Sequence, residues 1–401
     1  MRGSHERIIT SHVGSLPRPD ALIRANAERE TGNGSGEHAF QELLQSCVSE
    51  VVERQKRAGV DVPNDGEFGK SMGQRVNYRA WLSYSFNRLS GLEFLDKPVP
   101  PRPSGPHDLV LQGLAKRRDR TRFINAYTDP ESGISIGKDW VRPTCTGPIK
   151  YTGTEAVQAD IAHFKAALKA NGLVEGFMTS IAPGSASRLG NAYYKTDDEF
   201  LFACADAMRE EYTAIIDAGL ILQLDDPSIA ENWDQIIPEP SIEAYRRFTA
   251  VRIEALNHAI RGLPEDRIRF HLCWGSWHGP HLTDLPMRDI VDLMLTVKCQ
   301  AYSFEAANAR HEHEWSVWRD VKLPDDKLIL PGIVGHATNV VEHPELVAER
   351  LVRFASLVGR ERVIASTDCG LGGRLHPDIA WAKLEALAEG ARLATRQLWA
   401  A

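Results

Sequence analysis

A histidine and a cysteine two residues apart, in Arg267-Ile-Arg-Phe-His271-Leu-Cys273-Trp-Gly275, are the first residues in this chain whose types and spacing could do chemistry. The apolar run broken by glycine reads as a strand. Side chains two apart in an extended chain share a face, so imidazole and thiolate meet at one point at its C-terminal end. That is half of a tetrahedral zinc site. Two further strand-like runs end in candidates for the other half: Ala301-Tyr-Ser-Phe-Glu305 and Val363-Ile-Ala-Ser-Thr-Asp-Cys369. His271, Cys273, Glu305 and Cys369 are therefore the candidate ligands of one Zn2+. In the competing reading Glu305 pairs with Arg310 or Arg374 and both thiols are core residues. A structural zinc would usually take three or four sulfurs from short loops, whereas ligands spread over three strands point to catalysis. Two thiolates and a carboxylate already neutralise the ion, which favours activating an incoming thiol over hydrolysis.

The elements that must position these residues follow a regular rhythm. A short run at Ile8–Val13 ends in Gly14-Ser15-Leu16-Pro17, a helix is expected over Gln41–Gly59, and Gly59–Val62 ends in Asn64-Asp65-Gly66-Glu67. Helices follow at Ala156–Ala170, from the Thr196/Glu199 capping box to Gly219, at Ser241–Arg261, Met287–Lys298 and Pro344–Val358, and at the C-terminus. Strands alternate with them, near residues 8, 60, 175, 220, 268, 300, 328 and 362. Eight strands with helices between predict a closed (β/α)8 TIM barrel, with an open doubly wound sheet as the alternative. Residues 82–148 break the rhythm with a proline-rich stretch and read as an excursion of the single catalytic domain, a β-hairpin plus irregular loops, with Val141–Thr146 as one strand. There is no Gly-x-Gly-x-x-Gly, P-loop or Gly-x-Ser-x-Gly elbow. In a barrel every strand's C-terminal end opens onto one face. His12 and Ser15, Glu67, Asp225 and Asp226, His336 and Asp368 all fall at such ends beside the four metal candidates.

Bulk properties narrow the classes. The chain has 401 residues, 43% hydrophobic and 25% charged, with a net charge of -7. An acidic balance argues against non-specific nucleic-acid binding, and the basic run Lys116–Arg120 reads as a solvated helix face. No apolar run approaches the ~20 residues that span a bilayer, and no signal-peptide h-region opens the sequence. Six cysteines without paired short spacings fit a reducing cytoplasm, with Cys145 and Cys204 as buried structural thiols. A homo-oligomer is compatible with these features.

With these residues in view, the sequence resembles the cobalamin-independent methionine synthases, in their C-terminal catalytic barrel. The resemblance runs through Val13-Gly-Ser-Leu-Pro17, Asp61-Val62 with Gly66-Glu67, Asp225-Asp-Pro227, His271-Leu-Cys273, Ser303-Phe-Glu305, Pro331-Gly332 with His336-Ala-Thr-Asn339, and Asp368-Cys-Gly-Leu371. It implies zinc on His271, Cys273, Glu305 and Cys369. It also implies that Ser15 contacts an amino-acid carboxylate, that Glu67 and Asp225 hold its ammonium, and that His336 transfers a proton. His336 stands one residue off the family spacing. The full-length enzymes carry an extra N-terminal barrel for which this chain has no room. Short single-barrel relatives include epoxyalkane:coenzyme M transferases, which His12–Pro19 and Ala203–Tyr212 also resemble. An acceptor sulfonate would want Arg18, Lys70, Arg75 or the Arg117–Arg118 pair near the metal. The expectation is a small-molecule thiol acceptor and an alkyl donor, a methyl-folate or an epoxide. His336 and Asp368 are the candidate catalytic residues, and His12, Ser15, Arg18, Glu67, Asp225 and Asp226 the candidate substrate-binding ones. The leading reading is methyl transfer to a homocysteine-type thiol, the second epoxide opening by coenzyme M, the third a metal-binding barrel without turnover.

Overall fold

The computed structural model describes residues 1–30, 34, 36–70, 84–97, 99, 109–134 and 142–400. Its strands are β1 (Ile9–Thr10), β2 (Leu92–Glu93), β3 (Thr144–Cys145), β4 (Phe177–Ile181), β5 (Gly190–Asn191), β6 (Ile221–Asp226), β7 (Ile268–Leu272), β8 (Ala301–Glu305), β9 (Leu328–Val334) and β10 (Ile364–Thr367). Seven of these form one sheet in the order β1-β10-β9-β8-β7-β6-β4, and every pairing in it is parallel. The strand expected near residue 60 is present only as a bridging segment. Asp61 and Val62 donate their N–H groups to the Thr10 carbonyl at 3.0 and 3.1 Å, and Phe177 N–H donates to the Pro63 carbonyl at 2.9 Å. Pro63 has no N–H to give, which keeps the segment from pairing as a regular strand. Backbone hydrogen bonds nevertheless link the two edge strands through it, as an α/β barrel arrangement requires.

Alternating side chains fill the space enclosed by the sheet. Ile9, Val62, Phe177, Ile221, Ala301, Leu328, Leu330 and Ile364 form one buried cluster, drawn from the bridging segment and every sheet strand except β7. β7 contributes the fully buried Arg269 instead. Its guanidinium donates to Gln223 Oε1 at 2.7 Å, Ser11 Oγ at 2.9 Å and the His12 carbonyl at 2.8 Å, and lies 3.4 Å from the Phe177 ring centre. Burial pulls its pKa down to about 9, against the pull of Asp225.

The outer helices run Glu37–Arg57, Thr154–Ala170, Asp197–Asp217, Ile242–Ala259, Pro344–Val358 and Pro377–Leu398. The Thr196 cap is present, with Glu199 N–H donating to its Oγ1 at 3.0 Å, but the Glu199 carboxylate accepts from Lys195 N–H rather than closing the box on Thr196. The expected stripe Phe200, Cys204, Met208, Tyr212 and Ile215 is buried. Two expectations differ. Met287–Lys298 is not one helix but the short turns Met287–Asp289 and Val291–Met294, interrupted at Ile290, whose φ of -134° leaves the helical region. A helix at Asp20–Glu30 was not expected, because its charged sequence has no apolar stripe: among its described side chains only Leu22 and Asn26 are buried. None of the described helices is long and apolar enough to cross a membrane.

Of the 82–148 excursion, the stretches 82–83, 98, 100–108 and 135–141, including Val141 of the expected strand, lie outside the described residues. β2 pairs antiparallel with β3, which continues parallel onto β5, so the expected hairpin becomes a three-stranded sheet. Short helices at Arg118–Arg122 and Ile124–Thr128 lay the excursion over the loop after β7. There Trp277 Nε1 donates to Tyr127 Oη at 2.6 Å, and Leu282 N–H donates to Asp119 at 3.0 Å.

Candidate metal centre

The C-terminal ends of β7, β8, β9 and β10 gather the chemistry-bearing residues. His271, Cys273 and Cys369 offer ligand atoms that all lie within 4.8 Å of one another. Glu305, His336 and Asp368 form a second group within the same limit. Every one of these six residues is buried. The structure thus brings three of the expected ligands together and puts the Glu305 carboxylate in the adjoining group.

Local geometry explains how the ligand atoms are presented. His271 Nδ1 lies 3.2 Å from Ser303 Oγ on the neighbouring strand, while the buried Nε2 has no partner. After Cys273 the chain turns at Gly275, whose φ of 91° suits glycine, and its N–H donates to Cys273 Sγ at 3.3 Å. Ser276 Oγ then lies 2.9 Å from Cys369 Sγ. The Cys273 hydrogen bond drives the Cys369 thiol well below its ordinary pKa, helped by Arg374 and His271, while Cys369 drives Cys273 well above. The two opposed shifts make Cys369 the sulfur that favours the thiolate and Cys273 the one that favours the thiol. An orphaned imidazole nitrogen and two paired sulfurs, all buried, are a soft N,S,S donor set, and they fit zinc.

In the second group Glu305 accepts from Trp274 N–H at 3.1 Å and from Asn308 Nδ2 at 2.8 Å. Arg310, its competing partner, donates instead to the Leu282 carbonyl, and Arg374 donates to the carbonyls of Ser276 and Gly370. Asp368 accepts from the N–H groups of Ala306 and Ala307 at 2.7 and 2.9 Å and from Asn308 at 3.1 Å, so Asn308 ties the two carboxylates together. Burial raises Glu305 well above the carboxylate range and Asp368 to about 6. His336 has no partner at either ring nitrogen, and burial lowers its pKa to about 3, so it is a neutral imidazole.

Beside His271 runs a polar wall. Asp225 is in register with His271 and accepts from Gln223 Nε2 at 2.6 Å, and burial lifts it to about 7. Glu67 adopts a φ of 60°, rare for a side-chain-bearing residue, and accepts from Thr179 Oγ1 at 2.7 Å. Lys70 Nζ lies 3.8 Å from Glu67 Oε1 and donates to the Thr179 carbonyl at 3.0 Å. Ser15 abuts the Cys369 loop, where Leu371 and Gly372 donate N–H to its carbonyl at 2.9 and 2.8 Å.

The other candidates turn elsewhere. His12 Nε2 meets Gln55 Oε1 at 2.8 Å, and burial takes it down to about 4. Arg18 donates to the carbonyls of Glu67 and Lys70, holding the loop that carries Glu67. Asp226 accepts from Ser185 and Ser228 and so pins the loops after β4 and β6. Arg75 lies outside the described residues.

Residues 116–392 match the family described as "Cobalamin-independent synthase, Catalytic domain". The chain belongs to this family. It is 24% identical to the 2-hydroxypropyl-CoM lyase of Xanthobacter autotrophicus over 99% of this chain and 98% of that protein. It is likewise 24% identical to the methionine synthase of Thermococcus kodakarensis, over 97% and 94% of the two chains. Among solved structures, the B12-independent methionine synthase from Shewanella sp. W3-18-1 in complex with selenomethionine aligns with a TM-score of 0.72, at 18% identity, over 98% of this chain and 100% of that one. That likeness establishes the shared α/β barrel fold.

Within this family member, sequence reasoning passed over Ser276 and Asn308, and raised Arg374 only as a competing partner of Glu305. Ser276 and Asn308 each stand three residues after a candidate ligand, Cys273 and Glu305, and that spacing was the available signal. Arg374 sits in a loop with no periodicity to mark it.

Proposed function

We propose that the chain catalyses zinc-dependent transfer of a methyl or alkyl group to the thiol of a small molecule, with a homocysteine-type acceptor as the leading version. The observation that carries this reading is the convergence of His271, Cys273 and Cys369 within 4.8 Å at the ends of β7 and β10. Zinc would be held by these three residues with Glu305 adjoining, and when bound it would supply a charge that ionises an incoming thiol. The protein's own groups do the rest. Asn308 and the backbone N–H groups at 306 and 307 fix Asp368 and Glu305 in place. His336, neutral and unpartnered, is set to accept and return a proton at a ring nitrogen. Ser15, Glu67 and Asp225 line the approach and orient the acceptor, so that sulfur and electrophilic carbon meet in line. The methyl donor in this version is a folate.

A second version, coenzyme M opening an epoxide, is supported by the full-length similarity to the Xanthobacter protein named 2-hydroxypropyl-CoM lyase. The two versions differ in the electrophile. The test is zinc content of the wild type and of Cys273→Ser, followed by thiol consumption with homocysteine plus methyl-folate and with coenzyme M plus an epoxide. The proposal expects zinc in the wild type, its loss in Cys273→Ser, and consumption of one thiol. A wild type that binds zinc and consumes neither thiol would leave a metal-binding barrel without turnover.

A further inference from the structure

Behind Gly275 the loops carry a concentration of positive charge that thiol ionisation does not use. Buried Glu231 accepts from Arg117 Nη2 on one oxygen and from Arg188 Nη1 on the other, each at 2.5 Å. Arg117 also lies 3.5 Å from Asp234 and 3.6 Å from the Trp277 ring centre. Arg142 adds a third guanidinium. Its Nη1 donates to the Arg188 carbonyl at 3.1 Å, and it forms no ion pair among the described residues. Arg188 Nε is buried without a partner. Burial and the neighbouring Arg188 and Arg117 charges bring the Arg142 pKa down to about 10, so the gathered charges repel one another. A ligand anion would relieve that repulsion, and guanidinium forks match oxyanion geometry.

The cluster adjoins the candidate metal centre. A Cβ on Gly275 would stand 2.8 Å from Glu231 Oε1, and Gly275 N–H donates to Cys273 Sγ at 3.3 Å. By contrast, the carboxylate of Glu67 already has the chain's own ammonium at 3.8 Å, from Lys70. An anionic group would find Arg142 without an ion-pair partner among the described residues.

We infer that Arg142, supported by Arg188, is the recognition site for a strongly anionic end of the acceptor thiol, a sulfonate, carboxylate or phosphate. This rests on the thiol-transfer reading and adds the acceptor's charge class to it. The test is titration calorimetry on the zinc-loaded full chain with 2-mercaptoethanesulfonate, 2-mercaptoethanol, cysteamine and ethanesulfonate. Charged hydrogen bonds of this kind are worth about tenfold or more in Kd. The anionic thiol should bind about tenfold tighter than the neutral or cationic one. Arg142→Gln should abolish that preference while leaving the 2-mercaptoethanol Kd unchanged, and Arg142→Lys should retain part of it. An unchanged ratio of anionic to neutral Kd in Arg142→Gln overturns the inference. If ethanesulfonate binds through Arg142 and no thiol binds at all, the anion site stands and the thiol-transfer reading fails.

Discussion

At the scale of single residues, protons are sorted by burial and pairing rather than by residue type. The hydrogen bond from Cys273 drives Cys369 toward the thiolate, and burial holds His336 neutral. With a pKa of about 3 the His336 imidazole is neutral and a weak base in the resting site, so any proton it accepts in the proposed role is readily returned. His336→Asn removes that capacity without touching His271, Cys273 or Cys369. The expected outcome is turnover lowered by ~10²–10⁴-fold with zinc content unchanged, checked by steady-state kinetics beside metal analysis. An equal loss of zinc would reassign His336 to metal binding. The period-two spacing of His271 and Cys273 made this part of the site legible, because a strand fixes which side chains share a face. Arg142 and Arg188 were not legible: they come from irregular loops, where spacing carries no direction.

At the scale of elements, two contacts hold the excursion and the strand ends in place. Arg88, in the segment after the undescribed stretch 71–83, donates to Asp160 at 2.6 Å and to Glu211 at 3.0 Å, clamping helices Thr154–Ala170 and Asp197–Asp217. Glu211 also accepts from Tyr151 and Ser180, at 2.6 and 2.7 Å. The net effect, against burial, is a Glu211 pKa below its ordinary 4.5, with Arg88 the leading cause. A carboxyl group whose pKa falls on folding contributes its stability fully above the unfolded value, and the contribution drains away as pH falls through the folded one. Urea midpoints should therefore drop below about pH 4.5 in the wild type. Glu211→Gln should cost ~3–5 kcal/mol at neutral pH and flatten that acid limb. An acid limb unchanged in Glu211→Gln would contradict the clamp. The second contact is Gly332 in β9, where an added Cβ would stand 2.4 Å from Asp368 Cα. Gly332→Ala should cost ~1–3 kcal/mol in urea unfolding and depress turnover by shifting Asp368. The sequence showed the glycine but not its neighbour, because β9 and β10 meet only in the folded sheet. Likewise the 287–298 stretch reads as one helix and is interrupted at Ile290, whose φ of -134° leaves the helical region.

At the scale of the whole molecule, the barrel class followed from the alternation of strands and helices, and the parallel order β1-β10-β9-β8-β7-β6-β4 realises it. What alternation does not reveal is that β7 places Arg269 in an otherwise apolar interior, where Gln223, Ser11 and the His12 carbonyl satisfy it. That buried cation sits beneath Asp225 and His271 on neighbouring strands, so the interior and the candidate metal centre share one electrostatic field. Convergence of strand ends on one metal is the claim from which the rest follows. X-ray absorption at the zinc edge of the loaded protein measures it directly. The expected result is two sulfurs at about 2.3 Å with nitrogen or oxygen at about 2.0–2.2 Å, and a third sulfur when a substrate thiol is added. A zinc shell holding only nitrogen and oxygen, unchanged by thiol and by Cys273→Ser, would contradict it.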